Sequence, residues 1–171
     1  MAPRPSSGPV LPPPPDPSRL DQVFVLESGG PSAEDTTVAV ARGRRRLIVL
    51  RRGAPDNSLF ATVSVPDTMP ASADSIRISV QPRPGIYGVD LTAVGGSLTG
   101  ATVSLSYAVH FVAPAGARAR YGGDLGFERA LFIARVEPDG RVEFLPTARP
   151  GSDLLSAVVP GPGRYVVAAP H

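Results

Sequence analysis

The chain has 171 residues, of which 42% are hydrophobic, and a formal net charge of +2. This length suits one domain with its own hydrophobic core, and the composition excludes a wholly disordered chain. Cysteine is absent, which excludes disulfides, a thiol nucleophile and a cysteine-bound zinc ion. No apolar run approaches the roughly 20 residues of a membrane helix, so no membrane span is predicted.

The N-terminal segment is rich in proline and includes the run Pro12-Pro13-Pro14-Pro15. Proline fixes φ and lacks a backbone donor, so this composition favours an extended polyproline II conformation. Residues 1–19 are therefore predicted to form a flexible linker or tail, and residues 20–171 a single β domain. A stiff spacer is the favoured interpretation, and a ligand for a proline-binding domain is the alternative.

Short apolar or alternating runs, separated by turn residues, follow one another from residue 20 to the end of the chain. Strands are predicted over residues 23–27, 36–41, 45–51, 59–66, 75–80, 101–109, 154–159 and 164–169, with a hairpin over 131–145 around Asp139-Gly140. The runs 36–41 and 45–51 are predicted to pair as a hairpin, and 154–159 is predicted to pair with 164–169. Residues 118–127 are rich in glycine and are expected to be irregular, with one short helical turn at most.

The run 101–109 has the strictest alternation in the chain. Val103, Leu105, Tyr107 and Val109 are predicted to face the core, while the hydroxyl residues between them, such as Ser104, face water. The same period of two assigns Val63 and Val65 to one face of their strand. It also assigns Ile76, Ile78 and Val80 to one face of the next strand, with Arg77 on the other.

Nine to eleven short strands with no helical periodicity indicate an all-β fold. The sequence predicts an antiparallel β-sandwich with Greek-key-type connections. A closed, barrel-like sheet is the alternative, because both architectures produce the same local pattern.

The second half of the chain resembles the ZU5-like β-sandwich domains of bacterial surface proteins and lipoproteins. The resemblance covers residues 59–169 and rests on three features: the glycine-rich turn before the 101–107 strand, the hairpin around Asp139-Gly140, and the closing run Tyr165-Val166-Val167-Ala168. It implies an interaction or scaffolding module that is not an enzyme. Some ZU5-containing proteins cleave themselves at a His-Phe-Ser site. This chain has His110-Phe111-Val112, which lacks the hydroxyl nucleophile.

Residue types that carry chemistry are few. One internal histidine, His110, offers too little for a zinc site or a catalytic triad, and His171 is the last residue. The aspartates do not form a calcium loop, and Gly95-Gly96 lacks the lysine of a phosphate loop. We therefore expect no catalytic residues, no metal ligands and no cofactor.

Arginine is concentrated around the predicted hairpin 36–51. The candidate anion-binding residues are Arg42, Arg44, Arg45, Arg46, Arg51 and Arg52. Such a cluster suits a phosphate, a nucleic acid or an acidic glycan. The competing interpretation is a solvated hairpin whose charges prevent edge-to-edge pairing of sheets. Nucleic acid is disfavoured, because no aromatic residues for base stacking lie among these arginines.

The function predicted from the sequence is a non-catalytic binding or structural module with a protein or a surface polymer as its partner. The alternative is a carbohydrate- or polyanion-binding module that uses the arginine-rich hairpin. Every basic side chain apart from histidine is arginine, which indicates GC-rich, bacterial coding. A cell-envelope or extracellular location is expected if an N-terminal signal has been removed.

Overall fold

Two antiparallel sheets face each other across a shared hydrophobic core in the computed structural model, which describes residues 11–171. The part of the linker prediction that concerns residues 1–10 lies outside the described residues. Neither sheet closes on itself, so the barrel alternative is excluded and the predicted all-β sandwich is confirmed.

The described part of the chain contains short strands, one 3₁₀ turn and two short α-helices. The strands are β1 (Ser18–Arg19), β2 (Val23–Val25), β3 (Glu27–Ser28), β4 (Thr36–Ala41), β5 (Arg46–Arg51), β6 (Leu59–Val65), β7 (Ser75–Pro82), β8 (Gly88–Val94), β9 (Thr102–Ser106), β10 (Phe111–Val112), β11 (Phe132–Val136), β12 (Arg141–Phe144), β13 (Ala148–Gly151), β14 (Leu154–Val158) and β15 (Gly163–Pro170). The 3₁₀ turn is Leu20–Gln22, and the helices are α1 (Ala117–Tyr121) and α2 (Asp124–Arg129). Two-residue strands such as β1, β3 and β10 raise the number above the predicted nine to eleven, because they are too short to show alternation.

The larger sheet has the strand order β1-β12-β11-β15-β8-β7-β4, and β2 pairs with the end of β15. The smaller sheet has the order β13-β14-β9-β6-β5. Strands β3 and β10 form a short separate ladder. The chain crosses directly between the sheets after β4, β6, β8, β12 and β14, and through β10 between β9 and β11, so most neighbours within a sheet are distant in sequence. This long-range connectivity is typical of sandwiches.

The core between the sheets is built by the alternating residues that the sequence assigns to it. Val63 and Val65 of β6 are buried, as are Ile76, Ile78 and Val80 of β7. Each sheet thus presents one apolar face to the other, which is the arrangement that removes most apolar surface from water.

Strand β9 follows the predicted faces over most of its length. Val103 and Leu105 are fully buried and Tyr107 is 2% exposed, but Val109 is 63% exposed. The prediction for Val109 is wrong because β9 ends at Ser106 and residues 108–110 form a turn, where alternation no longer applies. Ser104 is half-buried, and its hydroxyl lies 2.6 Å from that of Ser156 on the neighbouring strand β14.

The hairpin around Asp139-Gly140 is confirmed, since β11 pairs antiparallel with β12. The predicted pairing of the last two strands is wrong. β14 pairs with β9 and β13, whereas β15 pairs with β11, β8 and β2 in the other sheet. The connection Pro160-Gly161-Pro162 therefore crosses the sandwich instead of closing a hairpin, because alternation specifies a face but not a partner.

The glycine-rich segment after β10 forms α1 and α2, where the sequence predicted at most one helical turn. Phe127 of α2 is buried and contacts Phe24, with ring centroids 6.3 Å apart. Arg149 of β13 donates to the main-chain oxygens of Glu128 and Leu131, at 3.1 and 2.8 Å. These bonds satisfy carbonyls at the end of α2, so a distant arginine stabilises a helix too short to be stable alone.

The first pairing in the described chain is made by Ser18 and Arg19, which lie opposite Val142 and Arg141 of β12. The first strand thus begins two residues before the predicted domain boundary. Within residues 11–171, neither helix has the length or the apolar character needed to cross a membrane.

Candidate functional site

The arginine cluster lies where the chain crosses from one sheet to the other. β4 pairs with β7 in the larger sheet and β5 pairs with β6 in the smaller sheet, so the predicted hairpin between β4 and β5 is wrong. The tight corner that suggested a hairpin is real, with Gly43 in the left-handed region at φ 72°. It joins two strands that are the outermost members of their respective sheets.

Two of the six predicted anion-binding arginines are paired within the protein. Arg42 donates to the main-chain oxygen of Ala73 at 3.1 Å and lies 3.5 Å from the Asp74 carboxylate. Arg45 donates to the Asp67 carboxylate at 3.1 Å. All of these groups are solvent-exposed, so such pairs are worth little and can exchange with an incoming anion.

Three arginines have no carboxylate within ion-pair distance in the described residues. They are Arg44, Arg46 and Arg51, and all three are exposed. Arg51 donates to the main-chain oxygen of Asn57 at 3.3 Å, which leaves its charge uncompensated. Of the predicted set, these three guanidinium groups are therefore exposed and form no ion pair in residues 11–171.

The sixth arginine, Arg52, does not belong to this surface. It is 3% exposed, and its guanidinium lies 5.2 and 5.3 Å from the ring centroids of Phe60 and Tyr87. Its Nη1 donates to the main-chain oxygen of Pro31 at 3.0 Å. Contact with two aromatic faces stabilises a desolvated cation. The prediction that Arg52 belongs to the anion-binding set is therefore wrong, because a buried guanidinium cannot contact a polymer in solution.

The strand that carries these arginines has an unpaired edge. β5 pairs with β6 on one side, and over Arg46–Arg51 no described strand pairs with its other side. Two aliphatic side chains on its outer face are exposed, Leu47 by 58% and Val49 by 41%. We call Arg44, Arg45, Arg46, Leu47, Val49 and Arg51 the basic edge.

A groove on the outer face of the larger sheet is the second candidate site, and its volume is about 640 Å³. Its floor is aliphatic and includes Val23, Val25, Ile86, Val136 and Val166. At its rim the Asp90 carboxylate accepts from Arg83 at 3.1 Å and from Arg164 at 3.0 Å. Sequence reasoning missed this groove because its residues come from strands that are far apart along the chain. The two arginines of its lining share the Asp90 carboxylate, whereas Glu27, also in the lining, forms no ion pair within residues 11–171.

His110 lies at one end of the sandwich, where its Nε2 contacts the Asp56 carboxylate. Gly30 packs so closely against the imidazole that a side chain there would clash with the ring. Hydrogen bonds from Ser58 and from His110 lower the pKa of Asp56 to about 2. This arrangement ties together the loops that carry Gly30, Asp56 and His110.

Among residues 11–171, no group of three or more His, Asp or Glu side chains is placed to hold a metal ion. Aspartates near loops are paired with arginines instead, as in Asp124 with Arg118 and Asp139 with Arg141. His171 lies against the Phe24 ring, with the two ring centroids 4.3 Å apart.

Comparisons of this chain with models of known protein families, with curated proteins and with solved structures find no match.

Proposed function

We propose that this chain is a non-catalytic binding module of the ZU5-like β-sandwich type, and that the basic edge is its binding surface. The observation that carries the proposal is the coincidence of three uncompensated cations with an unpaired strand. Arg44, Arg46 and Arg51 flank the exposed Leu47 and Val49 on β5. A surface with free charge, free backbone groups and exposed aliphatic groups suits an acidic polypeptide partner.

The contacts of His110 support the non-catalytic part of this proposal. Its ring is held between Asp56 and the Gly30 loop, and the following Phe111-Val112 pairs with β3 as a regular strand. Val112 provides no hydroxyl at the position where self-cleaving relatives of the ZU5 type have serine. A bacterial cell-envelope location is part of the same proposal.

A surface polymer such as a sulfated or acidic polysaccharide is the second candidate ligand. Arg44, Arg46 and Arg51 favour it, because exposed guanidinium groups bind sulfate and carboxylate without any need for strand pairing. This candidate makes no use of Leu47 and Val49. The two ligands therefore predict different responses to loss of the aliphatic side chains.

The proposal is tested with poly-L-glutamate and a heparin-like polymer as probes. We expect the triple variant Arg44→Ser/Arg46→Ser/Arg51→Ser to lose most of the binding of either probe. We also expect wild-type binding to weaken with salt, because these charges are exposed and the Debye length falls to about 8 Å at 0.15 M. The matched control is Arg19→Ser/Arg118→Ser/Arg141→Ser, which removes the same net charge from exposed sites elsewhere.

Equal losses in the two triple variants would show that only net charge matters and would overturn the proposal. Failure of the wild-type protein to bind either probe would overturn it as well. The double variant Leu47→Ser/Val49→Ser then separates the two ligands. It weakens binding of an acidic polypeptide that contacts the strand and leaves binding of the polysaccharide unchanged.

A further inference from the structure

The sheet edges of this sandwich differ in how they are protected against pairing with another chain. β13, the far edge of the smaller sheet, contains Pro150 and an irregular register opposite β14. β1, one edge of the larger sheet, has two residues and runs into the 3₁₀ turn. Proline, irregular register and short length are the usual means by which proteins protect an edge.

Over Arg46–Arg51, β5 is six residues long and contains no proline, and its register against β6 shifts only at its end, between Leu50 and Arg51. Six residues at about 3.3 Å each give a free edge of roughly 20 Å. The only pairing on that side in the described chain is the single bridge between Arg52 and Ala33, just beyond the end of β5. The remaining outward N–H and C=O groups are therefore available to another strand.

We propose that the β5 edge binds an extended acidic polypeptide segment, which adds to the smaller sheet as a sixth strand. This inference rests on the proposed function and specifies how its ligand is held. Main-chain hydrogen bonds along β5 supply the affinity, and side chains beside the strand supply the selectivity.

The register of β5 defines the ligand pattern. Leu47, Val49 and Arg51 lie on the outer face of the sheet, while Ile48 and Leu50 point into the core. In an antiparallel partner, residues directly opposite one another share a face. The ligand thus needs an acidic residue opposite Arg51 and aliphatic residues opposite Val49 and Leu47. A second acidic residue lies opposite Arg46. Threonine, a residue common in strands, is placed at the two positions opposite Leu50 and Ile48, which gives the pattern Glu-Thr-Val-Thr-Val-Glu.

In one face-aligned register, a second copy of this chain meets its own charge at this edge. An antiparallel β5–β5 pair centred on Ile48 keeps the buried and exposed faces aligned, but it places Arg45 opposite Arg51 twice. Like charges directly opposite each other destabilise a strand pair. The charge of the edge therefore favours an acidic strand and opposes self-association in that register, so anion binding and protection of the edge are compatible roles of the arginine cluster.

β4, the remaining long edge, does not meet the same requirements. Glu34 and Asp35 lie directly before it, but Glu34 also lines a pocket with Val49 and Arg51, so its charge acts on both edges. Its outward side chains include the small Ala39 and Ala41 instead of large aliphatic groups. The pairing is therefore assigned to β5 alone.

The test uses the peptide Glu-Thr-Val-Thr-Val-Glu and two modified forms. One has lysine in place of both glutamates, and the other is N-methylated at alternate residues, which removes backbone donors and keeps both charges. We expect the lysine form to lose measurable binding. We expect N-methylation along the edge that meets β5 to weaken binding by at least about tenfold, because two or three main-chain hydrogen bonds are lost.

Amide hydrogen exchange gives the second readout. The parent peptide should slow exchange of the outward amides of β5 and leave those of β4 unchanged, since paired amides are protected. Leu47→Ser/Val49→Ser should weaken peptide binding. The control Val158→Ser, which alters an aliphatic residue 62% exposed on β14, should not.

Equal binding of the N-methylated and parent peptides, without protection of β5, overturns strand addition and leaves the basic edge as a charge-dependent surface. Binding of poly-L-glutamate without binding of the peptide would likewise overturn strand addition and leave the basic edge as a charge-dependent surface. Loss of both probes overturns the proposed function together with this inference.

Discussion

Arg51 and Arg52 are neighbours in sequence and lie in opposite environments. Arg51 is exposed on the basic edge, while Arg52 is buried against Phe60 and Tyr87. The period of two that places Ile48 and Leu50 inside also places Arg52 inside. The alternation therefore predicts that Arg51 is exposed and Arg52 is buried. The sequence-based prediction grouped the two because it considered only how closely the arginines follow one another along the chain.

The two arginines should respond differently to truncation. Arg52→Ala removes the aromatic contacts, leaves the Pro31 carbonyl without its donor and opens a cavity, so we expect a loss of about 2–4 kcal/mol of unfolding free energy. Arg51→Ala removes an exposed side chain and should change the same quantity by less than about 0.5 kcal/mol. Chemical denaturation measures both. Equal effects would contradict the assignment of Arg52 to the interior.

The Asp56–His110 contact gives a pH dependence with a defined sign. The pKa of Asp56 is about 2 in the folded protein, where Ser58 and His110 donate to the carboxylate, and about 3.9 in an unfolded chain. The folded state therefore binds the proton more weakly. The stabilisation is present above the unfolded pKa and is lost as the pH falls through about 2.

Asp56→Asn should remove this part of the acid sensitivity. We expect the urea midpoint of the wild-type protein to fall more steeply than that of the variant between about pH 5 and pH 2. At neutral pH the variant should be the less stable protein. Parallel curves for the two proteins would show that the carboxylate is not held by these hydrogen bonds.

At the scale of elements, the sequence predicts which face of a strand is buried but not which strands pair with one another. Strands β6, β7 and most of β9 bury the side chains that alternation assigns to the core. The pairing of β4 with β5 and of β14 with β15 is wrong in both cases, because each short connection crosses between sheets. A short loop permits a hairpin but also permits a crossing, and the outcome depends on sheet-to-sheet packing that no local window contains.

Strand β9 allows the face assignment to be measured. Leu105→Ala should cost about 2–5 kcal/mol of unfolding free energy through lost burial and a residual cavity. Ser104→Ala should cost about 0.5–1.5 kcal/mol, more than a fully solvated serine would, because Ser104 shares a hydrogen bond with Ser156. Denaturation of both variants decides the point, with Ser156→Ala as the matched control expected to equal Ser104→Ala. A cost for Ser104→Ala as large as that for Leu105→Ala would contradict the register.

The whole molecule presents two surfaces of different character. The basic edge carries uncompensated charge on an unpaired strand, whereas the groove on the larger sheet is aliphatic and its rim charges Arg83, Arg164 and Asp90 neutralise one another in part. The arginine cluster could be found from the sequence because its residues are contiguous. The unpaired state of β5 and the groove depend on strand order, which the sequence pattern does not specify.

The most direct test of the account is chemical-shift mapping of the ¹⁵N-labelled protein during titration with the peptide Glu-Thr-Val-Thr-Val-Glu. Binding at the basic edge predicts the largest amide shifts in residues 44–51 and in the adjacent strand β6. Shifts concentrated around Val23, Ile86 and Val166, with residues 44–51 unaffected, would place the binding surface in the groove and contradict the account.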